Sequence, residues 1–276
     1  MEKKEYTQVR YWIDDLPKSG RRAFSLDDAI RQFPQKSPSD VKNALSRLVR
    51  AGKIQSAWRG YYAVVLPEYG TRGIIPPTEY ISQLMSYLGN EYYVALLSAA
   101  QQWGAAHQAP QVFQFICDKP LRGKVKNHVA LEPVAKAKIP SKYLVSQNVR
   151  SGSIWVSSPE LTAVDLMIYP HRAGGLNNIA TVLADLCNSL NFAKVDVDFF
   201  DGIPLAVVQR LGYLLDDVIN EVEIADALYL KAKEAGLQFR KTLLQSGQSY
   251  NKNSGHDFGF NEKWKVIVNA SVEADI

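Results

Sequence analysis

Apolar residues recur at helical spacing three times within the first 51 positions. Residues 8–16 place Val9, Trp12, Ile13 and Leu16 on one stripe. Ser25 then caps a second predicted helix bearing Leu26, Ala29, Ile30 and Phe33. Asp28, three residues beyond that cap, gives a short version of the capping box, and Pro34 ends the helix. Ser37 caps a third helix, predicted over 38–51. Pro38 lies where a missing N–H costs nothing, and Asp40 sets negative charge at the positive helix end. Val41, Ala44, Leu45 and Leu48 form its apolar stripe with Val49 beside it, and Gly52 closes it as a C′ residue. The pattern then changes. Residues 54–57 and 61–65 are short β-prone runs joined at Trp58-Arg59-Gly60, so Arg59 falls at a hairpin tip. Three helices followed by a two-stranded wing, with 35–37 as the turn, predict a winged helix-turn-helix.

Residues 66–73 are rich in turn formers and Pro76-Pro77 close the stretch, which predicts a DNA-binding domain over 1–66, a linker over 67–77 and a second domain over 78–276. In that second part Thr78 caps a helix through Tyr80, Ile81, Leu84, Met85 and Leu88, and residues 91–106 read as another, rich in alanine and aromatics. Residues 112–117, 125–131, 143–149 and 154–156 are β-prone. Ser158-Pro159-Glu160 opens a helix that Pro170 stops. Helices follow over 177–190, 204–217 and 223–235, with a β-prone run at 195–199, a polar loop at 246–261 and a final strand at 264–268. Helices, then strands, then mostly helices favour a mixed α+β fold over a regular βαβ repeat.

Charge sharpens the reading of the first segment. Residues 1–66 hold 13 Lys and Arg against 7 Asp and Glu, whereas the remainder holds 19 against 21, so the whole excess of positive charge lies in the first 66 residues. Phosphate neutralisation requires that sign. A helix in the major groove would read bases through Asn43 and Arg47, whose amide and guanidinium make bidentate contacts to adenine and guanine edges. Ser39, Lys42, Arg50, Lys53 and Arg59 suit phosphate contacts, and Ser46 shares the same polar helix surface.

The 276 residues suffice for two cores, and no apolar run approaches the ~20 residues that span a bilayer. The first five residues lack the apolar stretch of a signal peptide, and Cys117 and Cys187 stand far apart, which predicts reduced core cysteines in a cytoplasmic protein. No cofactor, no metal and no enzymatic activity are expected: His107, His128, His171 and His256 show no zinc spacing, and no nucleophile elbow exists. Asp196-Val197-Asp198 on a strand would put two carboxylates on one face, the one feature that favours a metal-dependent enzyme. Gly174-Gly175 precedes a helix without dinucleotide or Walker spacing, so a helix-opening turn is expected there, tethered by Asp165 and Arg172. Arg122, Lys124, Lys126 and His128 alternate, which makes the first three candidate second-domain contacts to nucleic acid.

The winged-helix layout followed by Tyr92-Tyr93-Val94-Ala95-Leu96-Leu97-Ser98-Ala99-Ala100, Trp103-Gly104 and His107-Gln108-Ala109-Pro110 resembles the antitoxins of AbiE abortive-infection systems. Ser158-Pro159-Glu160-Leu161-Thr162-Ala163-Val164-Asp165-Leu166, Arg172-Ala173-Gly174-Gly175-Leu176-Asn177 and Ile179-Ala180-Thr181-Val182-Leu183 are similar to that family's C-terminal domain. The resemblance covers most of residues 7–235. It implies a type IV antitoxin that represses its own operon through inverted repeats, as monomer or dimer. It also implies that the protein counteracts a nucleotidyltransferase-like toxin without forming a stable complex. A ligand-responsive winged-helix regulator and a metal-dependent nucleotidyltransferase or nuclease are the alternatives. Residues 236–276 match nothing in that family.

Overall fold

The computed structural model describes residues 6–69, 75–105, 112–126, 129–247 and 259–275. It is a mixed α/β structure in two compact units: one takes residues 1–93, 111–139 and 146–155, the other 94–110, 140–145 and 156–276.

The first unit begins with helix α1 (Val9–Asp15), strand β1 (Ala23–Ser25), helices α2 (Leu26–Gln32) and α3 (Pro38–Arg50), and strands β2 (Ile54–Trp58) and β3 (Tyr61–Val64). Each helix boundary has a local cause. At α2 the capping box is complete: Asp28 N–H donates to Ser25 Oγ and Ser25 N–H to Asp28 Oδ2, both at 3.0 Å. At α3 the Asp40 N–H donates to Ser37 Oγ at 3.1 Å. Its far end is a Schellman closure, in which Gly52 N–H donates to Val49 O and Lys53 N–H to Leu48 O. Gly52 sits at φ +66, where a Cβ would be strained. The apolar stripes of the three helices meet in one core, where Trp12 packs edge-on against Phe24 and Phe33 at 5.0 and 6.1 Å over Val41 and Leu45.

Strand β3 is central in a three-stranded antiparallel sheet, with β1 on one side and β2 on the other. The hydrophobic pattern predicts no strand at 23–25. That segment is extended because Ala23 and Phe24 are buried and pair across to Ala63 and Tyr62, which places Phe24 on Tyr62 at 5.5 Å. The hairpin turn narrows to Arg59 and Gly60, because Trp58 pairs with Tyr61 across a bulge in β2.

The chain continues through α4 (Ile81–Leu88), β4 (Tyr92–Val94), α5 (Leu96–Gln102), β5 (Val112–Cys117), β6 (Lys124–Lys126), β7 (Val129–Ala135), β8 (Leu144–Val149) and β9 (Gly152–Ser157). The larger sheet has the order β6-β7-β5-β4-β9-β8. It is mixed, with β5 and β7 parallel and β6 and β7 antiparallel. Two expectations need correction here. Residues 91–106 are not one helix: Tyr92, Tyr93 and Val94 form a buried strand, and Leu96 takes a left-handed φ of +55 that breaks the chain direction before α5. Burial on both faces suits aromatic and β-branched residues to a strand, and parallel pairing of Val94 with Val156 overrides the alanine-rich helical signal downstream. The run at 125–131 likewise belongs to two strands, β6 and a longer β7.

The second unit is mainly helical, with α6 (Pro159–Ile168), α7 (Gly175–Leu186), α8 (Leu205–Tyr213) and α9 (Val222–Glu234), then the short strands β10 (Thr242–Leu243), β11 (Phe260–Asn261) and β12 (Val266–Ile267). Seven consecutive residues of α6, from Leu161 to Met167, are buried, so this helix lies at the centre of the unit. The residues after α9 are bound to the helices by Trp264, which is fully buried. Its indole N–H donates to Asp216 Oδ2 at 2.8 Å, from the π-helical turn Leu214–Val218 that continues α8. The buried Gln209 donates to the carbonyls of Arg240 and Trp264 at 2.7 and 2.6 Å. The Trp264 ring lies where a Cβ on Gly212 would meet it at 2.1 Å.

Two outcomes follow. Gly212→Ala forces the indole out of its slot, and we expect it to destabilise the protein by about 1–3 kcal/mol despite its better helix propensity, read as a lowered thermal midpoint. Ser25→Ala should cost about 1 kcal/mol. Burial would raise the Asp28 carboxyl, but its hydrogen bonds to Ser25 and Arg31 and the nearby Arg21 outweigh that and hold it below the usual aspartate value. A depressed carboxylate stabilises the fold above its unfolded value and loses that contribution as pH falls through the folded one. The acid limb of the wild-type stability curve should therefore flatten in Ser25→Ala, measured by urea titration across acidic pH.

Candidate nucleic-acid interface

Burial of Val41 and Leu45 turns the opposite side of α3 outward. That side carries Ser39, Lys42, Asn43, Ser46, Arg47 and Arg50, every one exposed. Lys53 follows the helix and Arg59 stands at the tip of the β2–β3 hairpin, both exposed as well. The structure thus places all eight residues at the surface. The cations among them, Lys42, Arg47, Arg50, Lys53 and Arg59, differ from Lys18, Arg21 and Arg31 earlier in the chain in what they touch. Arg21 and Arg31 lie 3.3 and 2.7 Å from Asp28 and Lys18 lies 2.6 Å from Asp15, whereas these five make no ion pair with a described residue. The carboxylate of Asp40, at the start of α3, accepts from Ser37 Oγ at 2.7 Å.

Arg47 also borders a cleft of about 430 Å3 between the start of α1 and α3, with Gln8, Arg10, Lys36 and Asp40 around it. Three cations and one carboxylate line it, and Arg10 is itself paired with Asp14 at 3.7 Å. Sequence patterning missed Arg10 and Lys36, because only the packing of α1 against α3 brings them beside Arg47.

The base of the hairpin is braced from beyond residue 66. Tyr61 stacks on Tyr87 of α4 at 5.0 Å, and Gln55 Oε1 accepts from Ile75 N–H at 3.3 Å. Arg22 lies 3.1 Å from the buried Glu79 and 3.8 Å from Glu68, which Arg150 approaches to 2.8 Å. Burial pushes the Tyr61 phenol far above its ordinary range, with the charge of Asp28 adding to it, so this ring stays neutral.

The other sequence candidates fall elsewhere. Arg122 is exposed. The side chains of Lys124 and Lys126 lie outside the described residues, as do His107, His128, His256 and most of the 246–261 loop. Gly174 and Gly175 form the turn that opens α7, at φ +80 and +89, and the Gly175 N–H is already spent on Pro170 O at 2.8 Å. Asp165 is buried and Arg172 exposed; burial first and then Asp165 raise the Tyr169 phenol, with Arg172 opposing.

The expected strand around Asp196 and Asp198 is instead a 3₁₀ turn, Val197–Phe200. A strand would send the adjacent Phe199 and Phe200 to opposite faces, yet both are buried here. The two carboxylates therefore do not share a strand face. Lys142 Nζ bridges them, 2.9 Å from Asp196 and 2.8 Å from Asp198, and the Tyr143 hydroxyl donates to Asp198. Those hydrogen bonds, Lys142 first and Tyr143 second, hold the Asp198 carboxyl below its usual value. Burial, and then Asp198, push the Tyr143 phenol up to about 12. Among the described residues no group of three or more His, Cys, Asp and Glu is placed to hold a metal ion, and no helix is long and apolar enough to cross a membrane.

No curated protein matches the sequence. The Rv2827c protein of Mycobacterium tuberculosis has a crystal structure that superposes with a TM-score of 0.64. The alignment covers 96% of this chain and 92% of that one at 14% identity, a likeness of fold alone. Residues 93–217 match the family model of the AbiEi antitoxin C-terminal domain, and over those residues the chain is similar to that domain.

Proposed function

We propose that this protein is an AbiEi-type antitoxin of a type IV toxin–antitoxin pair and a DNA-binding repressor of its own operon. Residues 1–66 act as a winged helix-turn-helix, 67–77 as the linker and 78–276 as the part that carries antitoxicity. One observation supports the DNA reading above the rest: α3, Lys53 just after it and the hairpin tip present five exposed cations that have no acidic partner among the described residues, together with Asn43 on the exposed side of α3. Cations already neutralised by neighbouring carboxylates release few counterions on binding DNA, whereas these remain available to phosphates.

In this reading α3 lies in the major groove and the β2–β3 tip rests against the backbone. Asn43 and Arg47 read base edges; Ser39, Lys42, Ser46, Arg50, Lys53 and Arg59 position the protein on phosphate and sugar. Arg122, Lys124 and Lys126 add nucleic-acid contacts from the later part of the chain. The operator is double-stranded and composed of inverted repeats, filled by two protomers. The antitoxin reading rests on the family match over residues 93–217. The functional partner is then a nucleotidyltransferase-like toxin, counteracted without a stable complex.

Binding of the full chain to its own upstream promoter and to a scrambled duplex, titrated over salt, tests the first half. We expect Arg47→Ala to cost about 1–3 kcal/mol on the promoter and to relax sequence preference. Arg59→Ala should weaken all duplexes alike and lower the salt slope by about one. If Arg47→Ala weakens promoter and scrambled DNA equally, Arg47 is not a base reader. Co-expression with the product of an adjacent nucleotidyltransferase-like gene tests the second half: growth should be restored by the wild type, and failure to restore it removes the antitoxin assignment.

A further inference from the structure

We propose that the cleft lined by the first turn of α2, β3 and α4 is a binding site for a small uncharged polyhydroxyl compound, a sugar of one or two rings, held by the Tyr61 hydroxyl, Asp27 and Gln83. None of the eight residues assigned to DNA on α3, after it and at the hairpin tip lines this cleft, so it stands independently of that reading.

The cleft has a volume of about 610 Å3 and lies wholly within the first unit. Small-molecule sites fall in the same range, about 300–1,000 Å3. Tyr61, on its lining, is only 4% exposed, yet its hydroxyl makes no hydrogen bond to a described residue. A buried phenol ordinarily has a partner for its O–H. The groups that act electrostatically on this one, Asp28, Arg21 and Tyr87, all line the same cleft. The unmet hydrogen-bonding capacity of Tyr61 therefore faces the cleft, where a ligand can meet it.

The other polar groups of the lining divide into two kinds. Asp28 is engaged inside the fold: it accepts from Ser25 N–H at 3.0 Å and lies 2.7 Å from Arg31 and 3.3 Å from Arg21. Asp27 beside it is exposed, and its carboxylate has no partner among the described residues. The side chains of Gln83 and Ser86 on α4 likewise make no hydrogen bond to a described residue. Two arginines and two aspartates leave the lining without net charge, so a phosphorylated ligand gains nothing from its overall field. Tyr61 and Tyr87 stack on each other at 5.0 Å, which leaves no slot between them for a planar base. What remains free is a carboxylate, a primary amide and hydroxyls. Those acceptors and donors match neighbouring hydroxyl groups, each of which both donates and accepts.

The test is saturation-transfer NMR of the full chain with D-glucose, D-ribose, trehalose and glucose 6-phosphate as probes. We expect transfer to at least one of the three uncharged sugars, and none in excess of it to the phosphate. Tyr61→Phe keeps the ring and its stack on Tyr87 and removes only the hydroxyl; it should weaken that sugar about three- to ten-fold, as loss of one hydrogen bond requires. Asp27→Asn should weaken it about ten-fold. Arg47→Ala should leave sugar binding unchanged. Absence of transfer to all three uncharged sugars overturns the proposal. Undiminished binding by both Tyr61→Phe and Asp27→Asn also overturns it, because the sugar then sits elsewhere, and a preference for glucose 6-phosphate over glucose overturns the uncharged class. Should Tyr61→Phe melt early, Gln83→Ala together with Asp27→Asn decides, and retained affinity in that pair overturns the assignment. DNA binding is read from promoter duplex and the Arg47→Ala variant, so the two readings fail separately.

Discussion

The burial of one stripe on α3 controls what the first unit can offer a partner. Val41 and Leu45 are fully covered by the cluster around Trp12, Phe24 and Phe33. With that face committed, the helix cannot rotate without exposing those side chains, each worth about 1.5–3 kcal/mol when buried. The Ser37 cap and the Schellman closure at Gly52 fix where the helix begins and ends. Lys42, Asn43, Ser46, Arg47 and Arg50 are thereby held outward as a group. The same constraint brings Arg10 and Lys36 up to Arg47, so that a cationic cleft arises from packing rather than from any local motif.

The hairpin depends on a different kind of contact. Its base is stacked through Tyr61 on Tyr87, and Gln55, Arg22 and Glu79 join the small sheet to the residues that follow it. Arg22 and Glu79 form a largely buried pair, and loss of either partner would leave a charge in a poorly solvated place. Residues beyond 66 therefore brace the hairpin along with its own turn, and the tip that carries Arg59 projects from a supported base.

In the second unit one tryptophan has the comparable role. Trp264 fits over Gly212 because that helical position has no side chain, and the π-helical turn after α8 supplies Asp216 to its indole and Asp217 to Asn261. The final residues are thus packed into the helical core, and the aromatic group that Trp264 completes with Tyr229 and Phe239 carries Lys233 over its rings.

Local chemistry was sufficient wherever a short-range signal and the burial pattern agree. The caps at Ser25, Ser37 and Ser158, the closure at Gly52, the hairpin residues Arg59 and Gly60 and the strand at 112–117 could all be read from residues a few positions apart. The outward face of α3 could be read in the same way, since helical periodicity alone separates its apolar stripe from its polar side. Long-range pairing settled the rest. Ala23 to Ser25 are extended only because β3 lies alongside, and Tyr92 to Val94 leave the helix that their neighbours favour because buried strands flank them. Asp196 and Asp198 are turned from a metal-like pair into partners of Lys142, a residue more than 50 positions away in the chain. Pattern reports which residues seek burial and at what period, but a partner distant in sequence leaves no mark on that period, and only the folded chain brings the two together.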